Sequence, residues 1–489
     1  MTATFPGSVT EPRPHEPTVH EWLDYVHANC SAGRDFDAGD SLVATVCASA
    51  VDPLEIAASL EASGISKRVA AERYGYGNVF ALADELWTKV AFRPGPGAPT
   101  RNLWRAGNVR DLGRGALYAA PALMLLALTR SAGLQFSWWV LPLAITWGWA
   151  LGQVTAYFGY TFKSRQNQRS EKLVLGWVMV ATVISTADVA AVAMVLIGGD
   201  GTSILAATGV TTYMVSSAIL LLNEQDGFAA KLLAPGAAVT IAVLVLGDDF
   251  FSPVFVWLCI GGSALATWAA AGRYMRLTPL RSLTFAPGDF GTAFHHLVHG
   301  LMCGVGLTLV AILGGQEFAD SGSPALFALP ILVTLGVMEW QLRSFRAGVE
   351  QLLSRLLSLD EFAPGSWKLF RRALTCYVLW AALASDLVAV VVHLDHSTPP
   401  YALLIGQVVL GAAFYVDLTL VSLSRLDLVT KCWAAGFGAG LVCWALISSF
   451  AHDIPRTTVL WEASLATAIV TLTSLLVVAR GVVSSSMSH

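Results

Sequence analysis

One apolar stretch occurs twice in this chain of 489 residues, and each copy contains a single acidic residue. The first copy covers residues 173–198 and contains Asp188, and the second covers residues 377–390 and contains Asp386. A gap of two residues aligns the two aspartates. Internal similarity over a separation of about 200 residues indicates duplicated halves, and this constrains the fold more than any single motif does.

The composition places these stretches in a membrane. The chain is 55% hydrophobic and 13% charged, whereas soluble domains carry about 25% charged residues. Apolar stretches of about 20 residues are typical of membrane-spanning helices. The sequence predicts twelve spans, at residues 115–131, 138–160, 173–198, 204–222, 230–247, 252–272, 291–314, 325–342, 372–394, 401–423, 431–452 and 458–480. A net charge of -4 gives no indication of a nucleic-acid partner.

Basic residues are concentrated in alternate loops of this topology. Four arginines precede the first span, and Lys or Arg residues also follow spans 2, 6, 8 and 10, while most of the other loops are acidic. Basic loops stay on the cytoplasmic side of a membrane. We therefore expect a multi-pass protein of a bacterial cytoplasmic (inner) membrane, with the lipid bilayer as a partner and both termini in the cytoplasm.

The repeat extends beyond the aspartates. Residues 219–236 align with residues 419–436, which pairs Lys231 with Lys431 and Gly236 with Gly436. Six spans per half leave both halves in the same orientation, related by an axis along the membrane normal. The predicted fold is thus an all-α integral membrane protein with twelve transmembrane helices in two six-helix repeats, at residues 111–275 and 276–482, followed by a tail at 483–489.

The region before the first span has a different composition. Residues 1–18 are predicted to be disordered, residues 93–110 form a Pro- and Gly-rich linker, and residues 19–92 are predicted to be a small cytoplasmic helical domain. Three short helices are expected there, with apolar faces formed by Leu54, Ala57, Ala58 and Leu60 in the first and by Phe80, Ala83, Leu86 and Trp87 in the third. A docking module for a cytoplasmic protein and a DNA-reading helix-turn-helix are both considered; the mixed charges favour docking.

Acidic residues inside the spans are candidates for binding an ion or a polar substrate, because a charge in hydrocarbon is costly unless it is paired or functional. Asp188 and Asp386 lie at the same predicted depth, and hydrogen bonds to Ser185, Thr186 or Ser385 are the alternative explanation. Asp417 lies in span 10 without a basic neighbour in the sequence. Gln153 in span 2 is a further candidate, although a packing contact explains it as well.

Two charged positions complete the candidate site. Glu339 and Arg343 lie four residues apart, which places them on one helix face. They are interpreted either as part of a substrate site or as an interfacial salt bridge. Arg114, beside Arg110 before the first span, is suited to a lipid phosphate, because arginine makes bidentate phosphate contacts. Ordinary topology signals explain these arginines equally well.

Metal and enzyme chemistry are not indicated. His295 and His299 have the spacing of metal ligands, but no third ligand is identified near them, and the seven cysteines form no metal or disulfide pattern. Hydrolase, phosphate-loop and metalloprotease motifs are absent from the sequence. We predict no cofactor, no metal and no enzymatic activity, with a membrane-embedded transferase as the alternative.

Three segments combine polar or charged residues with the ends of predicted spans: Gly152 to Tyr157, Met338 to Arg346, and Tyr415 to Asp417 followed by Arg425. With the twelve-span architecture, these segments resemble the MOP superfamily of exporters and flippases, in particular its polysaccharide and Pel-exporter branch, over residues 110–480. The resemblance implies a flippase that moves a lipid-linked or polymeric glycan by alternating access around a cavity lined by spans 1, 2, 7 and 8. The sequence has no ATP-binding motif, so an ion gradient or polymer synthesis would drive transport. The alternative is a non-transporting scaffold for cell-envelope or division-septum assembly that acts through its N-terminal domain.

Overall fold

The computed structural model describes residues 50, 52–62, 65–89, 108–132, 136–165, 167–247, 250–277, 285–320, 324–353, 359–394, 401–450, 454 and 456–485. Within these ranges every regular element is a helix. The chain divides into a smaller unit, residues 1–101 with 350–362, and a larger unit, residues 102–349 with 363–489. The predicted disordered N-terminus and nearly all of the linker lie outside the described residues.

The smaller unit contains the three short helices that the sequence predicts. They are α1 (Pro53–Ala62), α2 (Lys67–Tyr74) and α3 (Val79–Lys89). Their common core contains Ile56, Leu60, Val79, Leu82 and Leu86. The predicted apolar faces were wrong in part, because Leu54 and Phe80 are 61% and 53% exposed and Ala58 is also exposed. Ile56 and Leu82 take the buried positions, since each helix turns a slightly different face inward.

The larger unit consists of long helices, and each predicted span overlaps one of them. They are α4 (Asn108–Ala132), α5 (Val140–Ser164), α6 (Gln168–Ile197), α7 (Gly201–Leu222), α8 (Asp226–Leu246), α9 (Pro253–Ala271), α10 (Asp289–Asp320), α11 (Pro324–Leu353), α12 (Leu359–Leu394), α13 (Tyr401–Ser422), α14 (Leu426–Phe450) and α15 (Arg456–Ser485). Nine helices in the described residues are long and apolar enough to cross a membrane. The three others are α4, α5 and α11, so the count of twelve spans stays a prediction.

Two large apolar cores lie in the larger unit, beside smaller clusters. One lies mainly among α4 to α9 and contains Leu175, Tyr213 and Val243, all buried. The other lies mainly among α10 to α15 and contains the large buried rings of Tyr377, Tyr415 and Trp433. Because each core draws mostly on one half of the sequence, the two predicted halves each have a core of their own.

One turn has the same geometry in both halves. Helices α7 and α13 are each 22 residues long, and each is followed by a non-glycine residue with positive φ, at 58° for Glu224 and 60° for Ser424. The next amide donates back to a helix carbonyl in each copy, Gln225 to Leu220 at 2.9 Å and Arg425 to Leu420 at 3.1 Å. These matching turns, 200 residues apart, support the predicted duplication.

Small residues allow close backbone contact between helices from the two halves. A Cβ added to Gly304 of α10 would lie 2.5 Å from the Thr146 Cα of α5. A Cβ added to Gly115 of α4 would lie 2.7 Å from the Gly336 nitrogen of α11. Helices α4 and α5 therefore pack directly on α11 and α10, and the candidate site lies along these contacts.

Candidate functional site

Five charged side chains from three helices form what we call the charged cluster: Asp111 and Arg114 of α4, Asp226 of α8, and Glu339 and Arg343 of α11. The Arg114 Nε donates to Asp226, and its Nη1 donates to the two Glu339 oxygens at 3.1 and 3.3 Å. The Arg343 Nη1 lies 2.8 Å from Asp111, and its Nη2 lies 3.9 Å from Glu339. The cluster therefore joins α4 to both α8 and α11.

Most of the charged cluster is withdrawn from solvent. Asp111, Arg114 and Asp226 are 1%, 9% and 6% exposed, while the side chains of Glu339 and Arg343 are 30% and 43% exposed. Buried charges are retained only where opposite charges and hydrogen bonds compensate the loss of hydration. Arg114 supplies this compensation to two acids from different helices, and Arg343 adds a contact to Asp111 while its side chain stays partly exposed.

A second ion pair joins the two halves at α5 and α10. The Arg165 guanidinium donates two hydrogen bonds to the Asp289 carboxylate, at 2.9 and 2.8 Å. The Ala286 amide also donates to Asp289, at 2.8 Å. Arg165 belongs to a loop that the positive-inside pattern assigns to the cytoplasm. The same pattern assigns the basic segment before the first span, which leads to Arg114, to the cytoplasm.

An apolar groove of about 690 Å³ lies between α4, α8, α11 and α12. On α4 the groove begins at Gly113, next to Arg114, and continues to Met124; on α8 it begins at Ala230, one turn after Asp226. On α11 its lining residues precede Glu339. All three helices therefore lead away from the charged cluster into the groove. Its largest apolar lining side chains are Leu117, Leu123, Met124, Leu233, Ile241, Val333, Val337, Trp380, Leu383 and Leu387.

Asp417 lies in a separate buried group within the second half. It is 1% exposed, and its Oδ1 accepts hydrogen bonds from the Trp433 indole and the His299 Nε2, both at 2.9 Å. The Cys303 Sγ lies 3.4 Å from the same His299 nitrogen. We call His299, Cys303 and Asp417 the His–Cys–Asp group.

The structure brings together three of the residues predicted from the sequence and separates the others. Arg114, Glu339 and Arg343 meet in the charged cluster, where Arg343 lies closer to Asp111 than to its expected partner Glu339. Asp417 has no basic neighbour in the sequence, and the structure places it beside His299 in the His–Cys–Asp group. Gln153 lies at the α5–α10 contact, where its Cγ would be 3.1 Å from a Cβ on Gly300.

The duplicated acids Asp188 and Asp386 are both exposed on their helices. Ile184 near Asp188 is 57% exposed, and Leu387 beside Asp386 is 64% exposed at the edge of the groove. Neither aspartate makes a hydrogen bond or an ion pair with another described residue. The hydroxyl of Ser185, an expected partner of Asp188, instead accepts from the Trp147 indole at 3.1 Å. The structure therefore joins neither acid to the charged cluster.

Sequence reasoning missed four residues of these two groups: Asp111, Asp226, His299 as a partner of Asp417, and Cys303. His295 has the spacing of a metal ligand relative to His299 in the sequence, but His295 is exposed and its Nδ1 lies 2.7 Å from the Gly291 carbonyl oxygen. The spacing of His299 and Cys303, one helical turn apart, was a signal for a shared face. Asp226 carried no such signal, because its partner Arg114 lies 112 residues earlier.

No protein-family model and no curated protein matches the sequence. Solved structures of similar shape include an outward-facing multidrug resistance MATE family transporter of the MOP superfamily, 13% identical over 79% of this chain and 98% of that chain, with a TM-score of 0.49. An inward-facing MATE family transporter of the same superfamily is 14% identical over 78% and 96%, with a TM-score of 0.44. A Vibrio cholerae MATE transporter is 16% identical over 79% and 99%, with a TM-score of 0.46.

All three solved proteins are transporters, and the outward-facing and inward-facing ones are members of the MOP superfamily. Their identities and TM-scores are too low to carry a functional conclusion to this chain. The function proposed below therefore rests on the chain's own residues.

Proposed function

We propose that this chain is a membrane transporter of the flippase type that moves an amphipathic lipid across the bilayer by alternating access. One observation carries the proposal: an apolar groove between helices of the two halves begins beside a cluster of buried charges. A lipid has the same division, with an apolar chain and a charged headgroup. The groove supplies an apolar surface for the hydrocarbon chain of the lipid, and the charged cluster supplies contacts for its headgroup.

The dimensions and charges suit such a ligand. The groove follows α4 from Gly113 to Met124, a length of about 16 Å at 1.5 Å per residue. Arg343 has 43% of its side chain exposed at the charged end. Arginine binds phosphate oxygens through two parallel N–H donors. Arg343 is therefore the residue expected to contact a phosphate headgroup, while Arg114 stays engaged with Asp226 and Glu339.

We further propose that the headgroup carries a glycan. Its support is the resemblance of residues 338–346 to the polysaccharide-exporter branch of the MOP superfamily, and this segment contains Glu339 and Arg343 of the charged cluster. The substrate proposed is thus a lipid-linked or polymeric glycan. Gln153, Asp188, Asp386 and Asp417 stay candidate ion- or substrate-binding residues. No described feature specifically favours the scaffold alternative.

Alternating access requires contacts between the halves that hold one side closed. The Arg114–Glu339, Arg343–Asp111 and Arg165–Asp289 pairs all link helices of the first half to helices of the second. From the basic loops, this end of the helices is expected at the cytoplasmic surface. We propose that twelve spans cross the membrane as two six-helix repeats, and that these pairs close the cytoplasmic side.

Photo-crosslinking tests the proposal. The purified chain is reconstituted in vesicles that contain a polyprenyl phosphate with a photoreactive group on its chain, and crosslinked peptides are identified by mass spectrometry. Crosslinks are expected in residues 113–124 and 230–241. Ala237→Trp, which fills the groove, should abolish them, whereas Ala266→Trp on α9, outside the groove, should not. Crosslinks spread over all lipid-facing helices and insensitive to Ala237→Trp would refute a specific lipid site.

A further inference from the structure

The His–Cys–Asp group lies outside the charged cluster and the groove, and the lipid contacts proposed there use none of its three residues. Its three donor atoms lie within 4.8 Å of one another, and all three residues are buried. His299 and Cys303 lie one turn apart on α10, and Asp417 reaches them from α13. We infer that this group binds a divalent transition-metal ion, with zinc as the best fit.

The distances are close to those of a zinc site. The His299 Nε2 lies 2.9 Å from the Asp417 Oδ1 and 3.4 Å from the Cys303 Sγ. Tetrahedral zinc, with bonds of about 2.0–2.1 Å to nitrogen and oxygen and about 2.3 Å to sulfur, separates such ligand atoms by about 3.3 and 3.5 Å. The two distances to the His299 Nε2 therefore need changes of only a few tenths of an ångström. The Cys303 sulfur and the Asp417 oxygen, which lie within 4.8 Å of each other, must approach to about 3.5 Å.

The chemistry of the donors selects the ion. Sodium, magnesium and calcium prefer oxygen ligands, whereas a thiolate combined with an imidazole favours zinc and its neighbours in the transition series. The charge also matches, because one thiolate and one carboxylate neutralise a divalent ion. The metal-bound group is thus electrically neutral in the apolar interior, which removes the cost of burying a net charge.

Binding balances in protons as well. The ion displaces the proton of the Cys303 thiol, which leaves to solvent. The proton that the His299 Nε2 donates to Asp417 moves to Nδ1, so Nε2 binds the ion through its lone pair as part of a neutral imidazole. That nitrogen is buried without a hydrogen-bond partner among the described residues, so it is unsatisfied whether or not the metal is present.

The carboxylate has a neighbour that would orient it. The Trp433 indole of α14 donates to the Asp417 Oδ1 at 2.9 Å, and hydrogen bonds of this kind hold metal ligands in place. Trp433 is fully buried, and its ring would lie 2.6 Å from a Cβ on Gly306 of α10. Helices α10, α13 and α14 therefore meet at the His–Cys–Asp group, where a bound metal ion would hold them together.

Cobalt spectroscopy on the full chain in lipid nanodiscs tests the inference. After treatment with a chelator, Co²⁺ should produce tetrahedral visible bands and a near-ultraviolet thiolate band, both abolished by Zn²⁺. Cys303→Ser should remove the thiolate band, and Asp417→Asn should weaken zinc binding by at least about tenfold. Cys376→Ser is the matched control, because Cys376 is a half-buried thiol of the same half that lies 3.2 Å from the Gln341 amide. It should leave both bands unchanged.

X-ray absorption of the zinc-loaded natural chain gives a second measurement that needs no variant. It should show one sulfur at about 2.3 Å and the remaining nitrogen and oxygen ligands at about 2.0 Å. A thiolate band that persists in Cys303→Ser would place the metal at another cysteine and overturn the inference. The absence of any sulfur ligand, or of any Co²⁺ bands, would overturn it as well. Neither measurement depends on transport, so the inference stands or fails separately from the proposed function.

Discussion

The Arg165 guanidinium and the Asp289 carboxylate face each other through two parallel hydrogen bonds, of 2.9 and 2.8 Å, that tie the end of α5 to the start of α10. This contact and the Arg114–Glu339 pair lie at the end of the helices that the basic loops assign to the cytoplasm. The two halves are thus linked by charge at one end. Charge links of this kind can break and re-form without loss of packed apolar surface, which suits a closing contact in a transport cycle.

Removing Arg165 should therefore favour opening at this end. We expect Arg165→Gln to shift the conformational equilibrium by a few-fold, because the pair is partly exposed and solvent screens it. Spin labels at Gln168 and Lys431, which are exposed in the first and second half, should show a larger share of long distances. Arg169→Gln removes an exposed charge nearby that has no partner among the described residues, and it should leave the distribution unchanged. Equal effects of both variants would contradict a specific role for the pair.

Arg114 should matter more for stability than any other member of the charged cluster. Arg114→Met leaves Asp226 and Glu339 without their common counter-charge, and loss of one partner from a buried ion pair costs about 3–5 kcal/mol. The free energy of unfolding in detergent should fall accordingly, while Glu339→Gln should cost much less because Arg114 keeps Asp226. The triple variant Arg114→Met, Asp226→Asn, Glu339→Gln should recover most of the loss. A triple variant as unstable as the single one would show that packing, not charge, is responsible.

The sequence predicts the helices well because their signal is local. The span predicted at residues 401–423 is helix Tyr401–Ser422, since length and apolarity alone define it. The span predicted from residue 372 is less accurate, because its helix already begins at Leu359. The added segment contains Lys368 and Arg371 and is amphipathic, so it continues the helix without raising the hydropathy that marks a span.

The candidate site is harder to predict because its pairs are distant in sequence. Arg114 meets Asp226 and Glu339 over separations of 112 and 225 residues, and His299 meets Asp417 over 118 residues. Charge type and helix position indicate which residues need a partner, but not which partner they find. Asp188 and Asp386 show the reverse case. Their duplication made them candidate site residues, yet both side chains are exposed on their helices in the described structure.

Gly304 should be intolerant of even a methyl group. Its Cβ would lie 2.5 Å from the Thr146 Cα, a backbone atom that cannot yield without separating α5 from α10. Overpacking of this kind costs about 1–3 kcal/mol, so Gly304→Ala should lower the melting temperature in detergent. Gly152→Ala on α5 is the control, because a Cβ there meets nothing within 4 Å. It should be neutral or stabilising, since alanine favours a helix by about 0.5–1 kcal/mol over glycine. Equal melting temperatures for the two variants would argue against a tight α5–α10 contact.

The topology follows from the basic loops and can be tested directly. A reporter fused after Arg165, in a basic loop, should read cytoplasmic, because Lys and Arg are retained on that side. A reporter fused at Glu317, in the last turns of α10, should read external. Reporters with activity on one side only, such as alkaline phosphatase and a fluorescent protein, give opposite signals at each site. A cytoplasmic reading at Glu317 would mean that the number of spans before it is not seven.

The matching turns at Glu224 and Ser424 give a quantitative test of the duplication. Both residues have positive φ, 58° and 60°, a conformation that costs a residue with a side chain about 1–2 kcal/mol and costs glycine almost nothing. Glu224→Gly and Ser424→Gly should therefore each raise the free energy of unfolding, and by similar amounts. Part of the gain is offset by the greater freedom of glycine in the unfolded chain, so we expect about 0.5–1 kcal/mol at each position. Gln225→Gly is the control, because Gln225 has a φ of -94° and gains no relief. A gain at one position and a loss at the other would show that the two turns differ in strain, and it would weaken the case for two equivalent halves.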